Sequence, residues 1–354
     1  MSKPRDSSSE RAPIQWADPA REAAFHQWLK GIAEEFGLVP HTLTSASADA
    51  SFRRYLRIDS TQGTRIIMDA PPPLEDVRPF VHVASLLEQA ALTGPRILAC
   101  DAERGFLLTT DLGNELYLGA LKAGPEARVD SLMREAIKAL VQWQARVDAQ
   151  ALPPYDEAAL RAELDLFVPW CVQREHGLTW GATQTRAWEQ VCQALLSSAL
   201  AQPTVAVHRD WMPRNLMVCE GGPGILDFQD AVRGPITYDV ASLLRDAFLS
   251  WDEAREIDWA VRYWDAARAA GLPVNEDFGE FWRQLEWMGL QRHLKILGIF
   301  CRLKHRDGKP AYAADLPRFF TYATKVALRY RELKPLLALL EPMSGAAVSE
   351  GLTF

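Results

Sequence analysis

The sequence predicts an α+β chain of two lobes: a small N-terminal lobe built on an antiparallel sheet, and a larger, mainly helical C-terminal lobe. Three observations carry this. Short extended runs with turn signals gather between about residues 41 and 110, and long amphipathic segments fill most of the chain beyond residue 125. With 354 residues, 48% of them apolar, the chain also exceeds what one compact core usually supports.

Asp18 before Pro19 is a helix start, and Phe25, Trp28, Leu29, Ile32 and Phe36 recur at helical spacing up to Gly37. The runs SFRRYLRID and TRIIMDA, parted by the turn-prone STQG, read as an antiparallel hairpin. Alternation places Phe52, Arg54, Leu56 and Ile58 on one face and Arg53, Tyr55 and Arg57 on the other. Residues 75–92 have helical periodicity, PRILACD and GFLLTTD read as two more strands, and Asp111-Leu112-Gly113 marks the break. The division expected is a disordered tail over 1–15, a first lobe over 16–110 and a second over 111–354.

Beyond the break, segments at roughly 126–148, 156–176, 182–200, 237–250, 253–270, 277–303 and 314–340 read as helices. Extended character returns only in TVAVH, NLMVC and GILDF, with EGGPG as a turn. Most of the 12 tryptophans fall at helical spacing with other apolar residues and are read as core.

The formal charge of −7 offers no basic field to draw nucleic acid or anionic lipid. Five scattered cysteines without a CxxC pair exclude a disulfide framework or a structural zinc site, and read as buried thiols in a reducing compartment. The polar N-terminus lacks the core of a signal peptide, and no apolar stretch approaches the roughly 18 residues of a membrane span. A cytoplasmic protein is expected, with no nucleic-acid, membrane or obligate protein partner.

VHRDWMPRNLM, residues 207–217, crowds polar groups into a loop between two short strands. His208 and Asp210 stand two apart, Asn215 is the fifth residue after Asp210, and Asp227 ends the GILDF strand. The order is the H-x-D-x-x-x-x-N, then D-F, of kinase folds. An aspartate at Asp210 can accept the proton of a substrate hydroxyl, while Asn215 and Asp227 supply the hard oxygens that Mg2+ prefers when it holds the phosphates of ATP. His208 reads as an organiser of the loop. Past Asp227 the run DFQDAVRGPITYDVASLLRD enters a helix within about ten residues and carries no APE signature, so a small molecule is a better acceptor than a peptide.

HRDWMPRN, LDFQDAVRGP and TYDVASLLRD resemble the aminoglycoside phosphotransferase/choline kinase superfamily, and more narrowly its bacterial N-acetylmuramate/N-acetylglucosamine anomeric kinases. DASFRRYLRI, IIMDAPPP, RPFV and GLQRHLKILGIF support the similarity, which covers about residues 20–340. The resemblance implies a two-lobed protein-kinase-like fold, with the first lobe binding nucleotide and the second carrying catalysis and the acceptor. It makes Asp210 the base and Asn215 with Asp227 the metal ligands. Asp239 matches a family aspartate that braces the catalytic loop, and is read either so or as a helix N-cap. Nucleotide contacts are expected from Ser51, Phe52, Arg53, Arg54 and Arg57 and from the hinge at Thr109 and Asp111.

Three departures qualify this. Gln229 stands where protein kinases carry the glycine of DFG, and the segment around Ser51 is not glycine-rich. Met68 falls where a strand lysine pairs with the α- and β-phosphates. Arg53, Arg54 or Arg57 can substitute, since guanidinium binds phosphate bidentately, and Glu88 on the following helix then lacks its lysine partner.

For the acceptor, charge discriminates. Aminoglycosides and choline are cations, whereas N-acetylmuramate carries a carboxylate and calls for cations around it. Arg292, Lys295 and Arg302 lie near one helical face with His293 adjacent, which is either a basic wall for an anionic sugar or a solvated face. Arg245 and Asp246 are further candidates for holding the sugar. The expected reaction is ATP-dependent phosphorylation of an amino sugar at its anomeric hydroxyl. The alternatives are an aminoglycoside or amino-alcohol kinase of the same superfamily, and an inactive nucleotide-binding module.

Overall fold

The computed structural model describes residues 14–48 and 52–344. Most of the expected tail, and Ser51, lie outside the described residues. The chain divides into a smaller unit, residues 1–115 and 217–230, and a larger one, residues 116–216 and 231–354. The hairpin spanning 217–230, which sequence order alone puts in the second lobe, is grouped with the smaller unit because its backbone is tied there. The Val218 amide donates to the Glu115 carbonyl and the Ile225 amide to that of Thr93, each at 2.8 Å.

The smaller unit begins with α1 (Pro19–Ala33), β1 (Leu38–Ala48), β2 (Arg54–Ser60), β3 (Gly63–Asp69), α2 (Arg78–Gln89), β4 (Ile97–Asp101) and β5 (Phe106–Thr110). Asp18 caps α1 by accepting from the Ala20 amide. The strands form a five-stranded antiparallel sheet in the order β1-β2-β3-β5-β4. Phe25, Trp28 and Leu29 of α1 cover one face, packing on Leu56, Ile58, Ile67, Phe106 and Leu108. Each large apolar side chain buried this way contributes about 1.5–3 kcal/mol. Arg54 shares that face, where Asp69 receives it together with Arg21. Tyr55, Arg57, Ile66 and Met68 occupy the other face, with Tyr55 directly opposite Met68 and Arg57 opposite Ile66. β1 is longer than the sequence pattern shows because Pro40 and a register irregularity between Val39 and Thr44 interrupt its alternation. An edge position tolerates both.

In the larger unit α3 (Tyr117–Ala123), α4 (Glu126–Arg146), α5 (Glu157–Leu164) and α6 (Ala182–Leu200) lead to β6 (Thr204–Val207). The hairpin of β7 (Leu216–Cys219) and β8 (Gly222–Ile225), which from Met217 on belongs to the smaller unit, comes next in the chain, and then β9 (Val232–Pro235) pairs antiparallel with β6. The chain closes with α7 (Tyr238–Leu244), α8 (Glu253–Ala269), α9 (Phe278–His305), α10 (Leu316–Arg329) and α11 (Pro335–Ser344). Helix α9 is the axis of this unit. It packs against α5, α6, α7, α8 and α10, and is buried on nearly every side between Leu285 and Cys301.

Three expected helices are shorter than their periodicity suggests, each for a local reason. The segment 156–176 changes at residue 165 into a π-helical stretch, Phe167–Glu175, in which Pro169 cannot donate to a continuing α-helical ladder. The segment 237–250 stops at Leu244 because the Asp246 carboxylate captures the amides of Phe248 and Leu249. The segment 314–340 breaks after Arg329, and α11 restarts at Pro335, whose ring nitrogen has no proton for the preceding turn. The five cysteines are all unbridged, but only Cys171, Cys192 and Cys301 are buried; Cys100 is exposed and Cys219 partly so, which corrects the expectation for those two. Among the described residues, no helix is long and apolar enough to cross a membrane.

Candidate active site

The chain leaves β6 at His208, and the next residues are shaped by one buried carboxylate. Asp239, at the start of α7, accepts from the His208 amide at 2.7 Å with one oxygen and from the Arg209 amide at 2.9 Å with the other. Arg209 has φ +76°, a left-handed conformation that costs a side chain about 1–3 kcal/mol and persists only where neighbours enforce it. Asp239 enforces it from one side. From the other, Arg292 Nη1 donates to the Arg209 carbonyl at 2.9 Å and Ser242 Oγ at 3.2 Å. Burial pushes the Asp239 carboxyl up to about 7, against the pull of the two amides and of Arg292.

This reversal delivers Asp210. Its amide donates to His208 Nδ1 at 3.3 Å, which makes that nitrogen the acceptor of a buried imidazole set edge-on to Trp211. Its carbonyl accepts from the Met212 amide at 2.8 Å and from Asn215 Nδ2 at 3.0 Å, closing a short 3₁₀ turn, Pro213–Asn215. Burial opposes charge on the Asp210 carboxyl. Lys295 and Arg292, with His208 and Arg209, more than offset it and hold the group below the ordinary carboxylate range. It is therefore ionised at neutral pH, as a proton acceptor must be.

Behind the loop lies a charged network that the sequence does not announce. Glu163 of α5 pairs with Lys295 at 2.6 Å and with Arg209 at 3.0 Å, and accepts from the Tyr238 hydroxyl at 3.3 Å. Burial raises the Glu163 carboxyl, but Lys295 brings it below its usual value. The one available signal is that Glu163 lies on the buried side of α5 with Leu160 and Leu164. Arg292 and Lys295, read as either a sugar-facing wall or a solvated face, are built into this network: Arg292 is buried over the Tyr238 ring and Lys295 is bound to Glu163. Arg245 is also held internally, by Glu286 at 3.1 Å and Glu256 at 3.4 Å, and it runs so close to α9 that a Cβ on Gly289 would sit 2.7 Å from its Cδ. Asp246 differs, since one oxygen caps two amides while the other is buried with no partner among the described residues.

His293 is fully buried and stacked on Tyr322 at 4.9 Å. Burial, reinforced by Arg245, depresses its imidazole to about 3. Below its ordinary value of 6.5 the unfolded chain takes up a proton that the folded chain refuses, so stability falls as pH drops. The His293 contribution between pH 6.5 and 5 is about 2 kcal/mol. Urea denaturation at the two pH values reads it, and His293→Gln should make the acid loss smaller by that amount.

In the smaller unit Asp227 follows β8 with φ +59°, and Gln229 Nε2 donates to its Oδ1 at 2.9 Å. Gln229 thus orients the carboxylate from the position where protein kinases have glycine. Phe228 is buried against Phe80 of α2. Arg57 holds the segment after β5, donating to both Asp111 oxygens at 2.6 and 3.0 Å and to the Gly113 carbonyl at 2.9 Å. Burial opposes charge on Asp111, and the Arg57 hydrogen bond leads the contacts that hold its carboxyl low. Thr109 is buried in β5 opposite Ile66, Phe52 is 63% exposed, and Glu88 lies exposed on α2. Met68 is 1% exposed.

Asn215 has its amide nitrogen on the Asp210 carbonyl. Asn215 in the larger unit and Asp227 in the smaller each carry a hard oxygen of the kind Mg2+ prefers, an ion that takes one or two protein ligands and fills the rest of its shell from phosphates and water. No group of three or more His, Cys, Asp or Glu side chains poised for a metal occurs among the described residues.

A five-stranded antiparallel unit, a mainly helical unit and an aspartate-braced H-x-D-x-x-x-x-N loop define a phosphotransferase of the protein-kinase-like class. More particularly, residues 42–278 match the phosphotransferase enzyme family (APH), and the chain belongs to it. It is an enzyme that transfers a phosphoryl group to a hydroxyl. An N-acetylmuramate/N-acetylglucosamine kinase of Pseudomonas putida is 50% identical over 313 residues, 88% of this chain and 91% of that one. A kinase of the same description from Neisseria meningitidis is 45% identical over 337 residues, 94% and 99% of the two chains. In fold, the chain is similar to wild-type aminoglycoside 2'-phosphotransferase-IIIa in its GDP complex, with a TM-score of 0.59 at 11% identity over 87% of this chain and 99% of that one.

Proposed function

We propose that the protein is an ATP-dependent amino-sugar kinase that phosphorylates the anomeric hydroxyl of N-acetylmuramate, N-acetylglucosamine or both, giving the sugar 1-phosphate during peptidoglycan recycling. The observation that carries this is identity of 45–50%, across nearly the whole chain, to kinases described by those two sugars. An ionised, braced Asp210 supports a hydroxyl acceptor.

In this reading Asp210 takes the proton of the sugar hydroxyl as its oxygen attacks the γ-phosphorus of ATP. A sugar O–P bond forms, the bond from the γ-phosphorus to the β–γ bridging oxygen breaks, and ADP leaves. Asp239, Arg292 and Ser242 keep the Arg209 peptide in the conformation that aims Asp210. Asn215 and Asp227 are the proposed ligands of Mg2+, which when bound offsets the negative charge of the phosphates. Asp246, with one oxygen committed to the backbone, is the candidate for a sugar hydroxyl, while Arg245 serves the packing of α7 on α9. Use of ATP places the proposed reaction in the cytoplasm.

ADP release is measured with ATP, Mg2+ and a panel of N-acetylhexosamines, aminoglycosides and choline. Turnover is expected with N-acetylmuramate or N-acetylglucosamine. Turnover confined to aminoglycosides or choline would assign the chain to the other branch of the superfamily, and none with any acceptor would favour an inactive nucleotide-binding module.

A further inference from the structure

The proposed donor leaves one question: which cation meets its phosphate chain. Met68 on β3 is apolar and buried where a kinase strand carries lysine. Arg54 points to the opposite face of the sheet, where its guanidinium is bound to Asp69 and to the Gln15 carbonyl. Arg57 is fixed on Asp111, Gly113 and Asn114. Four residues of strand separate it from position 53, roughly 13 Å.

Arg53 immediately precedes β2, two residues before Tyr55, which lies opposite Met68. Its Nε donates to Glu75 at 2.9 Å, with side-chain exposures of 14% and 12% for the two partners. Tyr55, directly opposite Met68, hydrogen-bonds to the same side chain. A partly buried guanidinium, oriented by a carboxylate and a phenol beside the vacant lysine position, has the geometry that makes arginine a phosphate ligand. Glu75, from the loop before α2, thereby does for Arg53 what a helix glutamate does for the strand lysine of other kinases.

We infer that Arg53, held by Glu75 and Tyr55, binds the phosphate chain of the nucleotide in place of a lysine at position 68. This rests on the reading of ATP as donor, and the test separates the two. Dissociation constants of adenosine and ADP are measured by calorimetry on the parent, Arg53→Met, Arg53→Lys and Arg53→Met with Met68→Lys, after circular dichroism has shown each to be folded. In Arg53→Met, ADP affinity should fall about tenfold or more, the loss expected for a charge-assisted contact, while adenosine affinity holds. Arg53→Lys should fall between the two, and the lysine at 68 should restore part of the ADP affinity. Unchanged ADP affinity in Arg53→Met, or equal loss for adenosine and ADP, would overturn the assignment. A parent that binds neither ligand would overturn the choice of nucleotide itself.

Discussion

Replacing Asp210 by asparagine should lower kcat by about 10²- to 10⁴-fold, the usual contribution of a positioned general base. Asparagine keeps the size of the side chain and leaves the Asp210 carbonyl in place for Met212 and Asn215. What it removes is the carboxylate that Lys295 and Arg292 keep ionised against burial. ADP affinity should therefore change little, and the loss should appear in kcat rather than in nucleotide KM. Steady-state kinetics with calorimetry on the same sample separate the two; undiminished turnover would mean that another group accepts the proton.

The largest loss of stability should come from Glu286. Its carboxylate, 1% exposed, receives Arg245 at 3.1 Å, Arg329 at 2.6 Å and the Tyr330 hydroxyl at 2.5 Å. It thus joins the end of α7, the middle of α9 and the end of α10. Glu286→Gln keeps the volume and removes the charge, leaving Arg245 with only Glu256 in a nearly dry site. Losing one member of a buried ion cluster costs about 3–5 kcal/mol. Asp258→Asn, which breaks the exposed pair with Arg262, should cost under about 0.5 kcal/mol. Urea denaturation of the two variants beside the parent tests the contrast, and equal midpoints would show that the cluster contributes no more than a surface pair.

The sheet and most helices were legible because their apolar residues recur at period 2 or 3.6, and those signals survive in one dimension. Boundaries were lost where a single side chain or a proline overrode the period, as at Asp246, Pro169 and Pro335. The short strand β9 escaped because four residues containing Gly234 and Pro235 carry no alternation, although they pair with β6 as far as Val207, the residue before the His208–Asn215 loop. Asp210, Asn215 and Asp227 were visible as a spaced set, since the proton transfer and metal binding proposed for them would restrict residue type and chain order together. The brace at Asp239 stayed ambiguous in sequence, because an aspartate at a helix start has two uses; the bonds to the His208 and Arg209 amides show which neighbours it serves. The basic residues of α9 were the hardest case. Periodicity places Arg292 and Lys295 near one face but does not say that α5 brings Glu163 to meet them, because that pairing spans 132 residues.

Phosphorylation of an amino sugar at its anomeric oxygen is tested most directly by the position of phosphate on the product. N-acetylmuramate and N-acetylglucosamine are each incubated with ATP, Mg2+ and the protein, and the product is examined by proton and phosphorus NMR. An anomeric proton coupled to phosphorus, with loss of the reducing end, is the expected result. A sugar phosphate that keeps its reducing end, with phosphorus on another hydroxyl, would contradict the proposed reaction.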